Sequence, residues 1–518
     1  MTGAEALVST LFAGGVEVCF ANPGTSEMHI VAALDNAKGI RPVLGLFEGV
    51  VTGAADGYAR MTEKPACTVL HLGPGLANGL ANLHNASRAH IPVVNIIGEH
   101  ATYHLRHDPP LASDIAAIAR PYSRWLETSC AATDVGRDTA DAIAAARTPP
   151  GRIATLIVPS DAAWSEGGRT GNLPMVPAAP LPSSASVDRA AKMLRSGQQA
   201  ALLLSGRALY GKGLSLAGRI ASATGAKLLA PYPFARLERG AGRPRVERIA
   251  YILEQAIDQL KGLRQLVLVG TPPPISYFAY SGKDPFPAPT ECEVYTLARV
   301  DEDGVGALEA LAESLHALGA PLETAICARG KSETTAPRGQ ITLAGLAQAV
   351  GAALPEKTIV VDESMTSGRA MMPATANAAP HDWLVNTGGA IGIALPLAVG
   401  AAVACPDRPV LCLSADGSGM YTLQALWTMA REGLKVTTVV FANRVYGVLK
   451  REFAGLGVGE PGPRALDLFE INRPDLDWTS LAKGMGVPAS SVGSLDDFAK
   501  ALHAGFESQG PSLIEAKL

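Results

Sequence analysis

Two oxygen-bearing side chains, Asp416 and Asn443, stand at the ends of two apolar runs, and the stretch between them reads as one unit. The apolar run 410–413 breaks at Ala415-Asp416-Gly417-Ser418. Leu423, Leu426, Trp427 and Ala430 then recur at helical spacing, and the β-branched run 436–441 stops just before Asn443. That pattern predicts a strand, a crossover helix and a parallel strand in a buried sheet, with both strand ends on one edge. A carboxylate, an amide oxygen and a nearby main-chain carbonyl suit a hard cation such as Mg²⁺, which keeps its other positions for water and phosphate oxygens. Gly417, Ser418 and the first turn of the helix offer N–H groups to a diphosphate. Asp-Gly after a strand is also ordinary turn chemistry, the competing reading.

Other residues have chemistry to offer. Glu48 lies between Leu44, Leu46, Phe47 and Val50, Val51, ahead of Gly49, Gly53, Ala54, Ala55 and Gly57, whose small side chains let a helix pack closely on its neighbour. Burial there is expected to raise its pKa and favour the protonated form, although an acidic residue at a helix start is also what the helix dipole favours. His71 follows the strand pattern 67–70 and precedes Gly73-Pro74-Gly75, read as a turn that lets backbone approach a ligand. Its natural pKa suits proton transfer. The stretch 99–108 carries His100, His104 and His107, read as a loop, but no second ligand pair at metal spacing supports zinc. Residues 205–213 imitate a Walker loop with Gly213 where Ser or Thr would hold Mg²⁺, and no GxGxxG opens a helix after a strand. Neither a nucleoside triphosphate site nor a nicotinamide dehydrogenase is expected.

The elements that must position these groups alternate helix and strand throughout. A chain of 518 residues, 47% hydrophobic and 18% charged, can bury several cores. The reading is α/β, with three doubly wound parallel-sheet domains: residues 1–165, a Gly/Pro/Ser-rich linker at 166–186, a middle domain at 187–330 and a last domain at 331–518, opened by a second linker at 328–339. A net charge of −4 argues against nucleic acid as partner. Seven cysteines without paired spacing read as reduced core thiols of a cytoplasmic protein. The apolar first residues include Glu5 and lack a basic start, so they read as an amphipathic helix, and no stretch is apolar enough to span a membrane.

Taken together, the Asp416 and Asn443 pattern resembles the thiamine diphosphate (ThDP) motif of the 2-oxo-acid decarboxylase and acetolactate synthase superfamily, where Gly-Asp-Gly is followed at this spacing by an Asn pair. Ala415 stands for the first Gly and Ala442 for the first Asn. The similarity covers nearly the whole chain and is weakest in the middle. Within the superfamily it is nearest to benzoylformate decarboxylases and to orphan acetolactate synthase large-subunit-like proteins.

The resemblance implies ThDP and Mg²⁺ as cofactors, with the Val445 carbonyl as third protein ligand beside Asp416 and Asn443. It implies that Thr366, Ser367, Gly417 and Ser418 bind phosphate oxygens, that Ile391 wedges under the cofactor, and that Gly73, Gly75 and Tyr446 line its surroundings. Glu48 would bond the aminopyrimidine ring and drive removal of the C2 proton, and His71 would exchange protons near C2. Thr25 stands where benzoylformate decarboxylases have a pocket serine. His104 or His107 matches a His-His pair of pyruvate decarboxylases. Phe278 aligns with a second pocket histidine, a change that dries the pocket and disfavours simple protonation. The implied reaction is decarboxylation of a small-molecule 2-oxo acid and ligation of the resulting enamine to a second carbonyl, as in acetolactate synthase. The alternatives are an aldehyde-releasing decarboxylase and a silent ThDP-binding paralogue, against which a buried Glu48 counts. A homodimer or homotetramer is implied, because the glutamate and the metal anchor come from different chains in the family. Some members bind FAD in the middle domain, but no motif here calls for it. The sequence stops soon after the last strand pattern, without the extension that would form a coenzyme A lid.

Overall fold

Short apolar runs joined by helical stretches cannot pair as hairpins, so each strand meets a parallel neighbour across a helix. The computed structural model describes residues 1–322, 326–327 and 337–518. The first sheet contains β1 (Val18–Asn22), β2 (Arg41–Leu44), β3 (Ala66–Leu70), β4 (Val93–Glu99), β5 (Trp125–Thr128) and β6 (Ile153–Pro159), in the order β2-β1-β3-β4-β6-β5 with every pair parallel. The second is built from β7 (Ala200–Leu204), β8 (Lys227–Ala230), β10 (Glu247–Arg248), β11 (Gln265–Val269) and β12 (Glu293–Ala298), in the order β10-β8-β7-β11-β12.

β9 (Leu237–Arg239) leaves that run of chain and joins the third sheet instead. That sheet also holds β13 (Ile359–Glu363), β14 (His381–Val385), β15 (Val410–Ala415), β16 (Val436–Ala442), β17 (Ala489–Val492) and β18 (Ser512–Lys517), in the order β17-β18-β16-β15-β13-β14-β9. β9 runs antiparallel to β14, with Leu237 opposite Trp383, so the three-sheet α/β expectation gains one exception to its parallel pairing. The middle of the chain supplies the edge of the last sheet.

The first and third sheets are locked together by two helices, Glu48–Thr62 and Ala394–Ala404. A Cβ on Gly57 would lie 2.1 Å from the Leu397 carbonyl oxygen, and one on Gly400 would lie 1.9 Å from that of Ala54. The backbones therefore touch, which is what the small residues after Glu48 are for. Arg60, on the same helix, donates two hydrogen bonds to the Asp56 carboxylate, both at 2.7 Å, and one each to the carbonyls of Val385 and Ala235. One buried guanidinium thus ties all three parts of the chain.

Other expectations shift. Residues 167–183 have neither helix nor strand, and the helix Ser184–Leu194 starts inside the expected linker, capped by Ser183. Of the second linker, residues 328–336 lie outside the described residues. The cysteines are free thiols, but Cys130 is exposed rather than core. Among the described residues no helix is long and apolar enough to cross a membrane.

Candidate active site

Asp416 and Asn443 come together as the pattern predicts. β15 and β16 are parallel neighbours, with Ala415 opposite Phe441, so both residues emerge at the same sheet edge. Asp416 is only 2% exposed; its Oδ1 accepts the Gly417 N–H at 2.9 Å and its Oδ2 the Arg444 N–H at 2.6 Å. Burial pushes its pKa up, and the Arg444 and Gly417 amides pull it back. Arg444 has φ +56°, the left-handed turn that points the 443–445 backbone back at Asp416. Asn443 Oδ1 accepts the Val445 N–H at 3.1 Å, and its amide donates to Ser367 Oγ at 3.3 Å. The Val445 carbonyl accepts from Gly447 N–H at 2.8 Å and keeps a second lone pair. The carboxylate meets amides rather than a cationic side chain, so this set of hard oxygens fits a divalent cation.

The site opens into a cavity of about 1180 Å³ whose walls come from residues between Tyr232 and Leu456. Thr366, Ile391, Gly417, Ser418 and Tyr446 line it, as does Phe278, which is 52% exposed. Ser367 is buried just behind Asn443. The volume, the Ser418 N–H and hydroxyl and the open backbone at Gly417, whose own N–H is held by Asp416, fit a long diphosphate cofactor.

Glu48 and His71 belong to a second constellation, on the first sheet. Glu48 opens its helix, is 8% exposed, and accepts from Asn78 Nδ2 at 3.0 Å. His71 caps the helix Leu72–Arg88, and Leu72 behind it has φ +53°. The expected Gly73–Gly75 turn is instead the first turn of that helix. A Cβ on Gly75 would lie 3.1 Å from Glu48 Oε1 and 3.4 Å from His71 Cβ, so this glycine is the spacer between the two groups. Gly73 packs on Ser113, where a Cβ would meet Ser113 Oγ at 1.8 Å. Thr25 is exposed at the start of the turn Thr25–Glu27.

Sequence profiles decide the family. The profile for "Thiamine pyrophosphate enzyme, N-terminal TPP binding domain" matches residues 1–118, and the profile for the C-terminal TPP binding domain matches residues 365–516. The chain belongs to the thiamine pyrophosphate enzyme family. This thiamine pyrophosphate enzyme is 52% identical over 516 residues, 99% of its length and 98% of the relative's, to a Mycobacterium tuberculosis protein provisionally described as acetolactate synthase large subunit IlvX. It is 28% identical over 97% of its length to benzoylformate decarboxylase of Pseudomonas aeruginosa, 96% of which is covered. Its fold matches the 4-hydroxybenzoylformate decarboxylase of Rhodococcus jostii RHA1 with a TM-score of 0.86 at 24% identity, over 99% and 98% of the two chains.

The loop histidines of this thiamine pyrophosphate enzyme run from the His71 side toward solvent, with the His100 ring 5.8 Å from that of His104. His104 and His107 are exposed on and beside the short helix Thr102–Leu105, with ring centroids 6.0 Å apart. Among the described residues no cluster of three His, Cys, Asp or Glu can hold a metal. The Walker-like stretch is filled by its own chain: Glu238 Oε2 accepts the Gly211 N–H at 2.9 Å, where a phosphate would have to bind.

Two buried acids were missed by pattern. Glu363 ends β13 and accepts from Asn386 Nδ2 at 3.0 Å and from the Gly392 and Ala394 N–H groups at 3.1 Å, holding the turn that carries Ile391. Burial pushes its pKa to about 7. Its place at the inward phase of a strand end is the signal that could have found it. Glu27 is 0% exposed and touches His71.

Proposed function

We propose that this chain decarboxylates a small 2-oxo acid with ThDP and Mg²⁺ and joins the acyl unit to a second carbonyl, an acetolactate synthase-like carboligation. When bound, the cofactor supplies the thiazolium electron sink that carbon–carbon cleavage needs. Asp416, Asn443 and the Val445 carbonyl hold Mg²⁺. Gly417, Ser418, Thr366 and Ser367 hold the diphosphate, and Ile391 and Tyr446 shape the space beside it. Glu48 holds the aminopyrimidine and governs removal of the C2 proton, and His71 moves protons at the reacting carbon. In this reading Glu48 and His71 come to the cofactor from the first sheet of a second copy, in a cytoplasmic homodimer or homotetramer; a cavity lined by residues from Tyr232 onward supports it.

One observation carries the preference for carboligation. The middle of the chain faces the cavity with Tyr232, Tyr251, Tyr277 and Phe278 rather than an imidazole. Burial raises all three phenols, Tyr277 to about 12, so this wall is a poor proton donor at neutral pH. Carbon–carbon bond formation then competes well with protonation. Aldehyde release is the second reading, favoured by the quarter-exposed imidazole of His71.

Proton NMR of products from pyruvate and, separately, benzoylformate, with ThDP and Mg²⁺ present, tests the reading. Acetolactate or another acyloin is expected. Aldehyde alone would replace carboligation by simple decarboxylation, and consumption of neither substrate while ThDP still binds would remove the substrate assignment.

A further inference from the structure

His71 does not stand alone. Its Nδ1 lies 2.8 Å from Oε2 of Glu27, a carboxyl that is completely buried and carried on the turn Thr25–Glu27. The same Oε2 accepts the Gly24 N–H at 2.7 Å, while Oε1 is buried without a hydrogen-bond partner. Two glycines make room for the pair. A Cβ on Gly24 would overlap the His71 ring at 2.3 Å, and one on Gly98 would overlap Glu27 Oε1 at 1.7 Å. A buried acid set between two such glycines and aimed at one imidazole nitrogen is a built contact.

We infer that Glu27 is a positioning residue: it accepts the Nδ1–H of His71, fixes the imidazole in the Nδ1–H tautomer, and leaves Nε2 as the atom that exchanges protons with the substrate. The inference rests on the proposed role of His71.

The assignment follows from the donors around one oxygen. Because Gly24 already donates to Oε2, that atom is held as an acceptor, and a proton taken up by Glu27 goes to the partnerless Oε1. His71 Nδ1 therefore donates in either state of the acid. Burial pushes the Glu27 pKa up, opposed by the Gly24 and His71 hydrogen bonds, and Glu99 and His100 are the other titratable groups near the pair. Fixing a ring through its second nitrogen is how an acceptor sets which imidazole atom is free to react.

The test reads the tautomer directly. Nitrogen-15 NMR of histidine-labelled, cofactor-free protein, followed across the imidazole titration, is expected to show the neutral form of His71 with Nδ1 protonated and Nε2 bare, assigned with His71→Ala. Glu27→Gln, which preserves size, is expected to mix the two tautomers and to lower kcat roughly tenfold to a hundredfold, with KM and ThDP affinity within about twofold. A bare Nδ1 in the unsubstituted protein would overturn the inference without any variant, as would an unchanged tautomer and kcat in Glu27→Gln. If His71→Ala turns over normally while the tautomer is as expected, the catalytic role of His71 fails and the contact stands as structure alone.

Discussion

The Tyr446 ring occupies the space a side chain on Gly417 would need, since a Cβ built there would lie 2.6 Å from the ring edge. Gly417 follows Asp416 and Tyr446 follows Val445, so the two arms of the proposed metal anchor meet at this contact. Gly417→Ala must push the tyrosine outward and spread the arms. Calorimetric titration with ThDP and Mg²⁺ is expected to show affinity lowered by roughly tenfold or more, about 1.4 kcal/mol. Gly484→Ala, where nothing lies within 4 Å, is the control and should bind as the parent does.

Gly400→Ala tests the seam between the first and third sheets. Helix propensity alone favours alanine by about 1 kcal/mol. The new Cβ would lie 1.9 Å from the Ala54 carbonyl oxygen, a backbone atom that no side-chain rotation can move. Overpacking of this kind costs about 1–3 kcal/mol and outweighs the propensity gain. Urea unfolding should show a net loss of stability; a gain would mean the helices separate easily.

Arg60→Met removes the guanidinium that bridges the three parts of the chain and leaves the Asp56 carboxylate buried and unpaired. A loss of about 3–5 kcal/mol in unfolding free energy is expected. The double variant Arg60→Met, Asp56→Leu should recover a large share of it, because the stranded charge is then gone as well.

Glu363 makes stability depend on pH. Burial raises its carboxyl from 4.5 to about 7, so between those values the folded chain holds a proton that the unfolded chain has released. The stability this group contributes is full below its unfolded pKa and falls as pH rises toward about 7. Glu363→Gln removes that slope. Comparing urea unfolding at about pH 5 and about pH 8, the parent should lose roughly 3 kcal/mol more than the variant across the interval. Equal slopes in the two proteins would contradict the assignment.

Much of this site was legible because its signals are local. Asp416, Asn443 and the crossover between them follow from apolar runs and their end points, and the small residues after Glu48 announce a close helix contact. β2 stops at Leu44, short of the apolar Leu46 and Phe47, because Phe47 serves as cap for the helix that Glu48 opens. Gly73 and Gly75 have the composition of a turn, but they form the first turn of a helix, where Ser113 and the Glu48 and His71 side chains leave no room for a Cβ on either without a shift. Glu27 was invisible, since its partner His71 is 44 positions away and only the β1–β3 pairing brings them together. The edge strand β9 was equally hidden, as three residues carry no periodicity.

The most direct test of the account is the rate at which the C2 proton of bound ThDP exchanges with deuterium, followed by quenched proton NMR in the presence of Mg²⁺. The account predicts that the parent accelerates this exchange well above free ThDP and that Glu48→Gln slows it by roughly 10²–10⁴-fold while ThDP still binds. Exchange in Glu48→Gln as fast as in the parent would contradict the account, since Glu48 would then have no part in activating the cofactor.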